Sequence, residues 1–193
     1  MTVRCDWAKT SPLMQDYHDY EWGKTTQDDK KLYELLLLES MQAGLSWSTI
    51  LDKRENFRSA FDQFDYTKVA NYNENKIAEL LTDPKIIRNR LKIRAAVNNA
   101  QMILNMQEKY GSFSTYIWSF VENPIINHWQ SMEEIPASTD LSKHISKELK
   151  KVGFKFVGPT IVYSFMQAIG MVDDHIETCS FKYENKQILH LYS

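Results

Sequence analysis

The sequence predicts an all-α protein. Glycine (6) and proline (5) are scarce in a chain of 193 residues, so few positions interrupt a helix. Apolar residues recur at spacings of three and four through most of the chain. Long alternating β-branched runs, the mark of strands, are absent. A hydrophobic share of 43% and a charged share of 25% are those of a globular domain. One domain is expected over 1–193: an aromatic arm (1–26), a helical body (27–137), a helix-hairpin-helix and metal-binding end (138–179), and a tail (180–193). A net charge of -2 gives no global signal for nucleic acid, so a DNA-binding face must be a local patch. There is no stretch apolar and long enough to span a membrane and no signal-peptide pattern, so a cytoplasmic monomer is expected.

Taken in order, Met1 to Thr26 reads as polar, aromatic and irregular, yet too rich in Trp and Tyr for a loose tail. A first long helix is expected from near Asp28 to Ala43, capped by Asp28 or Thr26. A second starts near Ser46, with a stripe of Ile50, Leu51, Arg54, Phe57, Arg58 and Phe61. Asp65 and Asn73 read as caps of short helices, and Pro84 opens a further segment. Ile93, Ala96, Val97, Ala100, Ile103 and Leu104 mark a long helix from about Asn89 to Tyr110, stopped by Gly111. Ser112 or Ser114 restarts one through Trp118 and Phe120, and Asn123 to Pro136 is the least regular connection.

Ser138 or Thr139 then caps a helix carrying Leu141, Ile145 and Leu149, which ends at Gly153. Phe154-Lys155-Phe156-Val157-Gly158 comes next, and Pro159 opens the next helix. Helix, glycine-bounded hairpin, helix is a pattern that turns backbone N–H groups and a positive helix end toward a phosphate. Lys147, Lys150, Lys151 and Lys155 add charge at that corner. An ordinary αα-hairpin with a solvated lysine face fits the spacing equally well.

The centre of the chemistry is Leu35-Leu36-Leu37-Leu38-Glu39-Ser40-Met41-Gln42-Ala43-Gly44-Leu45-Ser46-Trp47. A carboxylate inside so apolar a helix is costly unless something pairs with it. Glu39 is therefore a paired structural anion or a group kept for a ligand. Gly44 lets a ligand approach and Trp47 supplies a flat wall, which favours a small pocket for a flat molecule with a polar edge. The two cysteines lie at opposite ends and could form one disulfide, although in a cytosolic setting metal binding is preferred. His175 and Cys179 stand at i and i+4, one face of a helical turn, while Cys5 and His18 flank the arm. Two Cys and two His make a closed, structural zinc set tying the arm to the C-terminal end. The alternative is two unrelated buried cysteines and two ordinary histidines.

Several blocks agree in order and spacing: Cys5-Asp6-Trp7, Tyr17-His18-Asp19-Tyr20-Glu21-Trp22-Gly23, Gln42-Ala43-Gly44-Leu45-Ser46-Trp47, Lys53-Arg54-Glu55-Asn56, Ile86-Ile87-Arg88, Trp118-Ser119-Phe120-Val121, Gly153 to Gly158, and Ser164-Phe165-Met166-Gln167-Ala168. From Cys5 to Cys179 the chain resembles the DNA-3-methyladenine glycosylase type I family. The resemblance implies a helix-hairpin-helix glycosylase fold and hydrolytic excision of 3-methyladenine from double-stranded alkylated DNA. The products implied are the free base and an abasic site, with no lyase step. It implies Glu39 as the catalytic, base-reading carboxylate, Tyr17 as its partner, Trp47 as the stacking indole and Trp7 nearby. It also implies one structural zinc on Cys5, His18, His175 and Cys179, and phosphate contacts from Gly153, Phe154, Lys155, Phe156, Val157 and Gly158. The wider superfamily carries a catalytic aspartate just past the hairpin, which this family lacks. Asp173 and Asp174 fall in that region as zinc-histidine partners or a relic, with no catalytic role. The rival readings are a zinc hydrolase on another helical fold, which needs an open coordination position, a non-catalytic DNA-binding module, and a catalytically dead relative.

Overall fold

A computed structural model describes residues 2–183. Among the described residues there are ten α-helices: α1 (Pro12–Tyr20), α2 (Asp29–Gln42), α3 (Trp47–Asp52), α4 (Arg54–Ala60), α5 (Tyr66–Val69), α6 (Glu74–Thr82), α7 (Arg90–Tyr110), α8 (Phe113–Trp118), α9 (Asp140–Val152) and α10 (Pro159–Ala168). Most begin where the sequence supplies a side-chain cap. Asp28, Asn73 and Asn89 each accept an N–H three residues on, and Thr139 with Ser142 closes a capping box.

The leucine run makes α2 the hub. Every residue from Leu32 to Met41 is buried, and α3, α7, α8 and α10 pack around it. A helix with no polar face is stable only when enclosed in this way. Phe57, Phe61, Phe64, Ile93, Ile103, Phe113 and Phe165 complete the main core. A smaller apolar cluster of Cys5, Met14, Tyr17, Trp22, Leu51 and Cys179 joins the arm to the C-terminal end. Both candidate sites border on it.

Three expectations need correction. The arm is not irregular: a 3-10 turn over Asp6–Thr10 leads into α1, begun by Ser11 and Pro12 and burying Met14, Tyr17 and His18. The helix expected from Ser46 breaks at Lys53 into α3 and α4. Asn123 to Pro136 is the least regular connection, as expected, holding only a 3-10 turn and β1 (Ile125–Ile126), which pairs in parallel with β2 (Val172–Asp173). His175 and Cys179 do not share a helical turn. The chain there is irregular, and the Cys179 N–H bonds to the Ile176 carbonyl. Of the tail at 180–193, all beyond Tyr183 lies outside the described residues.

Candidate active site

Four segments close a cavity of about 230 Å³. The arm and α1 contribute Trp7, Met14, Tyr17 and Trp22, α2 and α3 contribute Glu39, Gln42 and Trp47, and Met132, Ile135, Ser164 and Gln167 complete the lining. Its walls are aromatic. The Tyr17 and Trp47 rings stand 5.2 Å apart at 52°, and Trp7 meets Trp22 edge-on at 5.0 Å. Glu39 is only 4% exposed, and among the described residues no donor or cation reaches its carboxylate. Burial alone pushes its pKa up to about 8. Burial, and next the charge of Glu39, push the Tyr17 hydroxyl up as well. The cavity thus offers an unsatisfied acceptor, a neutral phenol and aromatic walls to a flat molecule that carries positive charge or donors.

A second cluster adjoins this wall. Cys5, His18 and Cys179, all buried, bring their ligand atoms within 4.8 Å of one another. No disulfide joins the cysteines. The Cys5 thiol donates toward Cys179, which pushes Cys5 up and pulls Cys179 down toward the thiolate. His18 gives Nδ1 to Asp19 at 2.8 Å, which leaves Nε2 facing the sulfurs. His175 gives Nδ1 to Asp173 at 2.7 Å, and its buried Nε2 has no partner. The two imidazoles meet edge-on at 4.7 Å. Apart from the Glu39 carboxylate, His175 Nε2 and Trp47 Nε1 are fully enclosed atoms without a hydrogen-bond partner among the described residues, and such orphans are rare. One lies beside the thiols and the other in the cavity wall. A carboxylate behind each imidazole is the usual support for a metal-ligating histidine. Cys5, His18 and Cys179 therefore form a group that could hold a metal ion, and the His175 imidazole packs against that of His18.

Asp174 lies outside both clusters, and its carboxylate is saturated by its neighbours. It is fully buried, and its carboxylate accepts from Asn127, Trp129, Tyr163 and Gln167. Asp173 serves His175 and the Tyr183 N–H.

The hairpin is partly as expected. Gly153 ends α9 at φ +108, where a Cβ would come within 2.8 Å of Met102 Sδ. The N–H groups of Gly153, Phe154 and Lys155 are engaged, by Lys150, Leu149 and Asn99. Those of Phe156, Val157 and Gly158 have no partner among the described residues, and α10 begins its own ladder only at Val162. Lys147, Lys150, Lys151 and Lys155 are exposed there.

Residues 7–183 match the model of the methyladenine glycosylase family. The chain belongs to this family. It is 50% identical over 177 residues to DNA-3-methyladenine glycosylase 1 of Escherichia coli (strain K12), covering 91% of this chain and 95% of that one. It is 46% identical over 183 residues to the DNA-3-methyladenine glycosylase of Haemophilus influenzae, covering 94% and 99%. A solved structure of a tyrosine-to-phenylalanine variant of 3-methyladenine DNA glycosylase I, in complex with 3-methyladenine, superposes with TM-score 0.90 at 40% identity over 93% of this chain and 97% of that one.

In this methyladenine glycosylase a half-buried ion network joins the end of α1, which carries Tyr17, to α2, which carries Glu39. Arg54 on α4 reaches Glu21 through two hydrogen bonds of 2.8 Å and Glu34 on α2 at 2.8 Å. Arg58 and Lys31 add further contacts to Glu34, and Lys31 reaches Glu21. Burial works against ionised Glu21, but Arg54 and Lys31 overcome it and hold the carboxyl down at about 2. Arg54→Met leaves Glu21 to Lys31 and Glu34 to Arg58 and Lys31, and its expected cost is about 1–3 kcal/mol by denaturant unfolding. Glu21 is less protonated folded than unfolded, so its share of stability is present above about pH 4.5 and is lost as pH falls toward about 2. The variant should therefore lose most relative to the parent at neutral pH and least near pH 2.

Sequence patterns alone did not single out Trp22, Gln42, Ser164 and Gln167 as cavity walls. For Gln42 and Gln167 the available signal was a long polar side chain within an apolar helical stretch.

Proposed function

We propose that this chain excises 3-methyladenine from alkylated DNA by hydrolysing the bond between base and sugar. The observation that carries the reading is Glu39, a carboxylate enclosed by aromatic rings and lacking any cation of its own. The names of the family and of its relatives support the same substrate.

A damaged base must leave the stack before the cavity can read it. In DNA, 3-methyladenine is cationic, so its glycosidic bond is already weakened. Trp47 stacks on the extruded ring and gains a cation–π term of about 1–2 kcal/mol where water is excluded. Glu39 accepts from the exocyclic amine, and its charge favours the cationic purine over neutral adenine. Tyr17 bonds a second position on the edge, with Trp7 behind it. Water then adds to the sugar C1′ and gives up a proton to solvent, while the bonding pair leaves on the base nitrogen and neutralises the purine. No lysine forms an adduct, so the product is an abasic site on an uncut strand.

The hairpin from Gly153 to Gly158 holds a phosphate of the damaged strand, as in helix-hairpin-helix glycosylases. Its open N–H groups and the start of α10 support this. Leu45, 40% exposed between the cavity residues Gln42 and Trp47, fills the gap left by the extruded base. Zinc on Cys5, His18, His175 and Cys179 ties the arm to the C-terminal end. It supplies structure and no chemical step.

Purified protein incubated with methylated duplex DNA should release 3-methyladenine, identified by chromatography, and leave strands that break only on later alkaline treatment. Absence of 3-methyladenine among the released bases would overturn the assignment.

A further inference from the structure

The loop between α2 and α3 is held by a lysine with no acidic partner. Lys92, in the first turn of α7, is 6% exposed. Its Nζ donates to the Met41 carbonyl at 2.8 Å and to the Ala43 carbonyl at 2.6 Å. No charge opposes the burial, which pulls the pKa of the ammonium down. The last carbonyls of a helix have no partner within the helix, and a cation suits that negative end. Water could satisfy them at far lower cost than a buried ammonium. A charge is spent here on fixing the direction in which the chain leaves α2.

That direction aims the turn into α3. Ala43 turns out of the helix, and Gly44 sits at φ +80 with no other atom within 4 Å of where a Cβ would be. The Leu45 N–H returns to the Gln42 carbonyl at 2.6 Å, and Ser46 caps α3 through Thr49. Leu45 thus stands on a tight turn tied at its base by Lys92 and closed on its far side by a helix cap. Glu39 lies earlier on α2 and Tyr17 on α1, and neither touches Lys92.

We infer that Lys92 is a positioning residue for base extrusion, locking the end of α2 so that Gly44 and Leu45 enter DNA as a stiff probe. This rests on the glycosylase reading and on Leu45 filling the vacated gap. A probe that must order itself while it unstacks DNA wastes part of its binding energy, and a preformed one does not.

The test is single-turnover release of 3-methyladenine from one methylated strand, annealed to its full complement or to a strand that leaves its adenines unpaired. Lys92→Met should slow release from the paired duplex by at least about tenfold and from the unpaired substrate by less than about threefold. Affinity for free 3-methyladenine should stay unchanged, and Lys92→Arg should recover most of the loss. Equal loss on both substrates, or none on either, overturns the inference. If Lys92→Met does not fold, Lys92→Gln, which keeps one donor, should show a smaller loss confined to the paired duplex. Leu45→Ala is measured alongside. Wild-type release from paired DNA by Leu45→Ala sinks the gap-filling reading itself. Paired-selective loss in Leu45→Ala without it in Lys92→Met sinks the role of Lys92 alone.

Discussion

Glu39→Gln should lower 3-methyladenine release from methylated duplex by about 100-fold and at the same time make the protein more stable at pH 8. The two effects share a cause. A charged hydrogen bond to the base is worth about 1.5–3 kcal/mol, and attraction to a cation in a water-poor cavity adds to it, so losing both is a hundredfold effect in rate. In the free protein that same charge has no partner. Burial holds the Glu39 pKa up at about 8, against 4.5 for an ordinary glutamate. Between these values the folded state binds more protons than the unfolded state, so stability falls as pH rises through the window. Glutamine is neutral throughout and escapes that loss. A gain of about 1–3 kcal/mol at pH 8, with almost none at pH 4.5, corresponds to a melting temperature higher by about 3–10 °C at the upper pH only.

The catalytic profile depends on the same carboxyl. Ionised Glu39 is the partner of the cation, so kcat/KM should climb from pH 6 and level off above about pH 8, and Glu39→Gln should flatten the curve. Undiminished release by the variant, or a stability gain equal at pH 5 and pH 8, would remove Glu39 from the mechanism. A stability gain together with lost release is the expected signature of a group retained for its ligand.

How far the sequence revealed this depends on the range of each interaction. The leucine run of α2 showed its own burial, because a helix apolar on all sides has one stable placement. Ser46, Asn89 and Gly111 marked helix ends correctly, since caps act within a turn. In contrast, α1 was hidden by its aromatic and polar make-up. Its real signals were Ser11-Pro12 and the Met14, Tyr17, His18 spacing, which the aromatic content of the arm obscured. The His175 and Cys179 spacing suggested a helical turn, but packing against the arm overrides it. Gln42, Ser164 and Gln167 meet only when distant segments close on one cavity, which no local pattern encodes.

Replacing Cys179 with serine should be the other large effect. Wild-type protein should carry about one zinc per chain. Cys179→Ser should lose it and unfold about 10 °C lower, the size expected if removal of the ion costs about 3–5 kcal/mol in a domain of this length. His175→Ala separates three ligands from four. Its Nε2 lies outside the closest group but is buried without a partner, so the proposed set requires the variant to bind zinc much more weakly. Asp173→Asn, which removes the charge behind that imidazole, should weaken zinc by about 10- to 100-fold without touching a ligand. The consequence reaches the cavity because Trp22 lines it while packing against both His18 and His175. Loss of zinc should therefore weaken binding of free 3-methyladenine in proportion to the loosening of the arm, and excess zinc should restore it in Asp173→Asn. Wild-type protein purified without zinc and still stable would leave the arm held by its aromatic packing and the Glu21 ion pairs, and the metal assignment would fall with the base affinity untouched.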